Sequence, residues 1–166
     1  MRLIGAIILV IGVIFTSLVI SQKLINRVIF WEQFVSFLTT LKTKIRYNSE
    51  NVYNLLTVDS SQNMIVGFLE DCREEMSNLS YYQSWQKALE KIPMQIGLNK
   101  DDREVIKQFG KNLGTTDIEG QLLHCKLYIE LFTQKLKEAQ IQKEKNVKLY
   151  RTLGLAMAMG LFILII

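Results

Sequence analysis

The sequence is poor in the residues that build cross-linked or reactive proteins. Its 166 residues include one proline, one histidine and two cysteines. Two cysteines cannot staple a chain of this length into a disulfide scaffold, and a single proline excludes a collagen-like repeat. With 49% hydrophobic and 22% charged residues, the chain is not disordered either. His124 lies beside Cys125, and neighbours in a helix point about 100° apart, which is poor geometry for a shared metal site. Cys72 and Cys125 lack C-x-x-C or zinc spacing. Both fall on apolar stripes, where a reduced cysteine acts as a small core residue. Gly110, Gly114 and Gly120 fit no phosphate-binding template, because no strand precedes them and no Lys-Ser/Thr pair follows Gly114. They are expected to let the chain turn between the last two helices. Glu70-Asp71 and Glu74-Glu75 are spaced to share a helix face and read as a solvated acidic surface. The net charge of +4 comes from dispersed bases, so nucleic acid is not an expected partner. No catalytic, cofactor-binding or metal residue is assigned. An enzyme reading would need an added cofactor or a shared active site.

What is abundant is apolar sequence, concentrated at the two ends. Leu3 to Ile20 is 18 residues without a charge. At about 1.5 Å per residue, it nearly crosses a hydrocarbon layer of roughly 30 Å. Its polar side chains, Thr16 and Ser17, can bond back to their own helix carbonyls. Leu153 to Ile166 adds 14 more apolar residues, and Leu149, Tyr150 and a snorkelling Arg151 extend it toward spanning length. Together they account for a mean hydropathy of +0.14. The alternatives are a cleaved signal peptide for the first run and a buried core helix for the second. The first run is longer than a signal peptide's usual apolar region, and two such runs around a polar middle favour a hairpin-like membrane protein. Lys23 and Arg27 follow the first run, and Lys143, Lys145, Lys148 and Arg151 precede the second. These basic collars, suited to anionic lipid, place residues 21–152 in the cytoplasm and both termini on the opposite side.

The middle reads as helices, because apolar residues recur at spacings of three and four. Phe34, Leu38, Leu41 and Ile45, with Phe30, Trp31 and Phe37 beside them, carry the first helix out of the membrane to about Tyr47. A short helix follows from about Asn51 to Val58, and a third starts near Ser60 or Ser61 with Ile65, Phe68, Cys72, Met76 and Leu79 on one face. The fourth carries Tyr82, Trp85 and Leu89, is capped by Ser80 and stops before Pro93, which has no N–H to continue it. The fifth covers Lys100 to Leu113, capped by Asn99, with Asp101, Asp102 and Glu104 at the positive end of its dipole and Val105, Phe109 and Leu113 inward. The sixth is a heptad seam of Ile118, Leu122, Cys125, Ile129, Phe132, Leu136 and Ala139 that can run on into the second apolar run. The expected fold is all-α: a membrane helix at 3–20, a cytoplasmic bundle of about six helices at 21–152, and a second membrane helix at 153–166.

Two groups of residues stand out. Phe109 and Leu113 close the fifth helix into the core, Gly114 reverses the chain, and Asp117 caps the sixth helix. In the membrane runs, Gly154 with Ala158, and Ala156 with Gly160, have the small-x-x-x-small spacing of close helix approach, with Gly5 and Gly12 as counterparts. These predict packing of the two membrane helices, or a homo-oligomer.

The order of these features resembles the stage III sporulation protein AB family over essentially the whole chain. The similar residues are Leu3-Ile4-Gly5-Ala6 at the start, then Leu38, Leu41, Ile45 and Tyr47, and then Trp85 with Ala88-Leu89. The most specific run is Phe109-Gly110-x-x-Leu113-Gly114-x-x-Asp117 followed by Gln121 and His124, and Leu153-Gly154 opens a terminal apolar helix. The sequence departs from the family pattern at Lys44, where a glutamate is usual, at Asn48 and Asn51, where glycine and proline are common, and at Ala158, where a second glycine is usual. The resemblance implies a non-enzymatic membrane component of the channel or feeding-tube apparatus of spore-forming bacteria, in the mother-cell membrane around the forespore. It implies likeness to the cytoplasmic helical domain of type II secretion and type IV pilus platform proteins. The implied partners are a cytoplasmic secretion ATPase and other membrane components of the channel. The rival reading is a secreted or singly anchored helical sensor or binding protein outside the cytoplasm.

Overall fold

With no proline before residue 93, nothing breaks the helix that the first apolar run begins. In the computed structural model, helix α1 extends over Arg2–Tyr47, 46 residues without interruption. The described residues are 2–47, 56 and 64–165, with side-chain surroundings given for 11–154 and for 156, 159 and 160. Among them the chain forms five α-helices and no strand: α1, α2 (Met64–Glu75), α3 (Tyr81–Lys91), α4 (Lys100–Asn112) and α5 (Ile118–Ile165), with a single 3-10 turn at Met94–Ile96. The expected short helix at Asn51 to Val58 and the initiating Ser60 and Ser61 lie outside the described residues. Leu56 alone is described there, and it is buried.

Two long rods organise the molecule. α5 has 48 residues, so at about 1.5 Å per residue α1 and α5 are each close to 70 Å long. They run antiparallel: Ser17 meets Tyr150, Arg27 meets Gln142 and Phe34 meets Phe132. One helix among the described residues is long and apolar enough to cross a membrane, and its span begins at Ile11 in α1. The three shorter helices pack around the other half of the pair.

The core lies where all five helices meet, and Phe34 stands at its centre. Its ring contacts Phe68 of α2, Trp85 of α3, Phe109 of α4 and Phe132 of α5, with centroids 4.8 to 6.4 Å apart. Within α1 it also touches Phe30, Trp31 and Phe37. Aromatic pairs at such separations add roughly 0.5–1.5 kcal/mol each beyond the area they bury. Leu38, Leu41 and Ile45 continue the stripe.

Two expected boundaries shift. The third predicted helix stops at Glu75, short of Leu79, because Ser77 bonds its N–H and its hydroxyl to the Glu74 carbonyl and tightens the chain into a turn. The heptad seam on α5 does not extend to Ile118, which is half exposed. Tyr128 takes up core position beside Cys125, Phe132 and Ala139. The two acidic pairs of α2 are not simply solvated: Glu75 accepts from Lys87 at 2.7 Å and Lys91 at 3.0 Å, and Lys91 also reaches Asp71 at 3.5 Å. These hydrogen bonds, Lys87 first, hold the Glu75 carboxyl below the usual carboxylate range.

Phe34→Ala removes the one ring shared by all five helices. A loss of about 3–5 kcal/mol is expected, measured by denaturant unfolding of the full chain in detergent. Leu38→Ala, which leaves the ring cluster intact, should cost less.

Candidate functional site

The run from Phe109 to His124 forms the corner where α4 hands over to α5, and its side chains close the backbone groups that the two helix ends leave open. Gly114 has φ 79°, the left-handed conformation that favours glycine, and its N–H donates to Gln121 Oε1 at 2.9 Å. Gln121 Nε2 donates to Thr116 Oγ1 at 2.9 Å and to the Asn112 carbonyl at 3.3 Å. Asp117 Oδ1 accepts the Gly120 N–H at 3.0 Å at the start of α5. His124 Nε2 lies 3.0 Å from the Phe109 carbonyl, in the last turn of α4, while its ring stacks on Phe109 at 5.2 Å and 10°. Leu113 is buried. Each of the residues just named thus closes a helix end or packs the core.

Gly110 and Gly120 do not turn the chain. Gly110 lies inside α4, and a Cβ there would stand 2.3 Å from the Trp85 indole. The missing side chain admits that indole, whose Nε1–H donates to the Ile106 carbonyl at 3.0 Å. Gly120 lies in the first turn of α5 against the side chains of Thr116 and Asp117.

A second constellation lies at the middle of the rods. Arg27 is buried, so it is not part of a lipid-facing collar. Its Nε and Nη2 donate to Asp102 Oδ2 and Oδ1 at 2.7 and 2.9 Å, and its Nη1 donates to Gln142 Oε1 at 2.5 Å. Asp102 also closes the capping box of α4: it accepts the Asn99 N–H at 3.0 Å and returns its own N–H to Asn99 Oδ1 at 2.7 Å. Local sequence brings it there. α3 ends before Pro93, Arg103 caps its last carbonyls at Leu89 and Ile92, and the chain turns through Met94–Ile96 to Gly97, with φ 78°. A Cβ on Gly97 would lie 2.4 Å from the Lys23 carbonyl oxygen, so only glycine lets this turn press against α1. Asn26 fastens it through the Gln95 carbonyl at 2.9 Å.

The third constellation is the crossing of the apolar halves. Ser17 bonds across to the Tyr150 carbonyl at 2.6 Å rather than to its own helix, whereas Thr16 does bond back, to Gly12. A Cβ at Gly154 would lie 2.7 Å from Ser17, so these two small residues set the approach of α1 and α5. Among the described residues, nothing lies within 4 Å of a Cβ placed at Gly12 or Gly160. At about 100° per residue, each is well over 100° around its helix from Ser17 or Gly154 and cannot share their face. The surroundings of Gly5 and Ala158 lie outside the described residues.

The remaining chemistry is quiet. Burial pushes the Cys72 thiol up to about 12 and the Cys125 thiol up to about 11, so neither supplies a thiolate near neutral pH. Among the described residues no group of three or more His, Cys, Asp and Glu side chains is placed to hold a metal ion.

Arg27→Met should destabilise the chain by about 3–5 kcal/mol, since it leaves the Asp102 carboxylate buried without its cation. Arg27→Met with Asp102→Leu should recover most of that but not the capping-box contribution, about 1 kcal/mol. Equal unfolding midpoints for the single and double variants would contradict this coupling. At the corner, Gly110→Ala should cost about 1–3 kcal/mol by forcing the Trp85 indole away, with red-shifted or broadened tryptophan fluorescence as the spectroscopic check. Asp117→Ala should cost about 1 kcal/mol and leave that fluorescence unchanged.

A family model described as stage III sporulation protein AB matches residues 2–166. A curated relative, stage III sporulation protein AB of Bacillus subtilis (strain 168), is 24% identical over 170 residues, covering 99% of this chain and 99% of its own. No solved structure matches. The family match takes in both rods, the bundle and the corner, and the chain belongs to the stage III sporulation protein AB family.

Proposed function

We propose that this chain is a non-enzymatic membrane platform in a secretion-like sporulation channel between mother cell and forespore, holding a docking site for a cytoplasmic secretion-type ATPase. The observation that carries this reading is the continuity of the rods. α1 and α5 pass from the packed bundle into the apolar runs without a break, so a force or tilt applied to the bundle is delivered to the membrane segments. The polar side chains described above are engaged in holding helices together. In this reading residues 3–20 and 153–166 both span the mother-cell membrane, residues 21–152 lie in the cytoplasm, and both termini lie on the opposite side. Lipid and other membrane components of the channel are the further partners, and copies of the chain associate through the apolar runs.

Crosslinking and capture of the tagged full chain from sporulating cells should recover a secretion-type ATPase and membrane proteins. Recovery of neither would overturn the platform role. Because the native thiols are buried and hard to ionise, sidedness is read with Glu130→Cys, an exposed position on α5. A membrane-impermeant thiol reagent should label it only after permeabilisation. Labelling in intact cells would favour the extracytoplasmic sensor reading.

A further inference from the structure

Between the Ser17–Tyr150 contact and the Arg27–Gln142 contact, α1 and α5 are held together at two points. Beside those points an open cleft of about 520 Å³ runs along α5, with Ile25 as its lining residue from α1. Ile25 and Val147 give it apolar walls, and Lys143, Lys148 and Arg151 line it together with one carboxylate, Glu144. Thr152 also lines it, but its hydroxyl is bonded back to the Lys148 carbonyl. Three cations against one anion leave a positive excess. Among the described residues those three cations have no carboxylate partner. Arg27, the nearby cation at the end of the cleft, is already neutralised by Asp102.

On the side of the cleft toward the chain termini, both rods turn apolar and exposed, with Ile11, Ile14 and Leu18 following Ile25 on one face of α1 and Met159 following Thr152 on α5. The cleft therefore has cations at one level and uncovered hydrocarbon next to them. We propose that it binds an anionic phospholipid: the headgroup phosphate sits among Lys143, Lys148 and Arg151, and the acyl chains lie along the exposed apolar residues beside it. A free phosphate would leave that apolar surface uncovered. A polyanion such as nucleic acid would need a longer basic track. The cleft between α3 and α4 sets Lys100, Arg103 and Lys107 against two carboxylates, Glu90 and Glu104, and lies in the short-helix bundle, away from the apolar halves of the rods.

The proposal rests on the membrane reading above, and its test separates the two. The full chain is reconstituted in phosphatidylcholine vesicles doped with spin-labelled phosphatidylglycerol or spin-labelled phosphatidylcholine, and the protein-restricted lipid fraction is measured. The wild type should prefer phosphatidylglycerol by about fivefold or more, the order expected from one basic residue at a membrane surface. Lys143→Gln/Lys148→Gln/Arg151→Gln should lose the preference with helicity and carbonate resistance unchanged. Lys107→Gln/Lys126→Gln/Lys137→Gln, which removes the same charge elsewhere, should keep it. Equal restriction of the two lipids by the wild type, or an undiminished preference in the first triple variant, overturns the site. So does displacement of the lipid by excess inorganic phosphate, which would identify a free-phosphate site instead. A wild-type chain that carbonate strips from the vesicles overturns the membrane reading itself.

Discussion

A guanidinium buried midway along two helical rods must be neutralised, and the way this chain neutralises Arg27 fixes most of its geometry. The partner carboxylate belongs to Asp102, which is also the third residue of α4 and accepts the Asn99 N–H there. One carboxylate thus sets the start of α4 and its seat on α1, while the third guanidinium contact reaches Gln142 on α5. A buried pair of this kind is weak as a source of stability and strong as a constraint on arrangement, because every misplacement leaves a charge uncompensated. Here the constraint is register. α1 and α5 are stripes of similar aliphatic and aromatic residues that hydrophobic contact alone would tolerate in several offsets. A bidentate ion pair with a third polar contact selects one.

From that register follow the contacts at both ends of the rods. With Arg27 opposite Gln142, the antiparallel descent brings Phe34 to Phe132 in one direction and Ser17 to Tyr150 and Gly154 in the other. The first is the crowded aromatic centre and the second the close approach of two small residues. Large rings hold the bundle together because water drives their burial. In the membrane placement proposed above that drive is absent between the apolar halves, and small residues with a cross-helix hydrogen bond take its place. The same pair of helices uses a different packing chemistry in each half.

What the sequence revealed follows from the range of the interactions. The α1 stripe of Phe34, Leu38, Leu41 and Ile45 is legible because helical periodicity is local. So are Ser80, Asn99 and Asp117 at helix starts, and Pro93 as a stop. Arg27 was illegible because its partner stands 75 residues away, and a cation after an apolar run looks the same whether it faces headgroups or a buried aspartate. Gly110 looked like a turn residue because glycine near a helix end commonly is one. Its actual constraint, the Trp85 indole, belongs to another helix. Periodicity carries the seam on α5 one step too far, to Ile118, because it records which face is apolar and not where the neighbouring helix ends. Gln121 stands out only through the family resemblance, and His124 otherwise only as the single histidine, badly placed to share a metal with Cys125. The structure gives them a physical task, closing carbonyls at the end of α4.

The corner bears on how a motif should be weighed. Phe109, Gly110, Leu113, Gly114, Asp117, Gln121 and His124 mix an acid, an amide and an imidazole at short spacing. In the fold each polar atom described is turned toward a backbone group of the corner itself, and the imidazole lies flat on Phe109. A side chain engaged in this way can serve a partner only by giving up its present bond, leaving a helix carbonyl or N–H open at a cost of about 1–3 kcal/mol if it stays buried. The corner is better understood as the closure of the turn from α4 into α5. The course of α5 beyond it is set by α1, which meets it at Phe132, Gln142, Tyr150 and Gly154. A residue of the corner therefore acts on the end of α4 and the first turns of α5, and the far end of the rod answers to its contacts with α1.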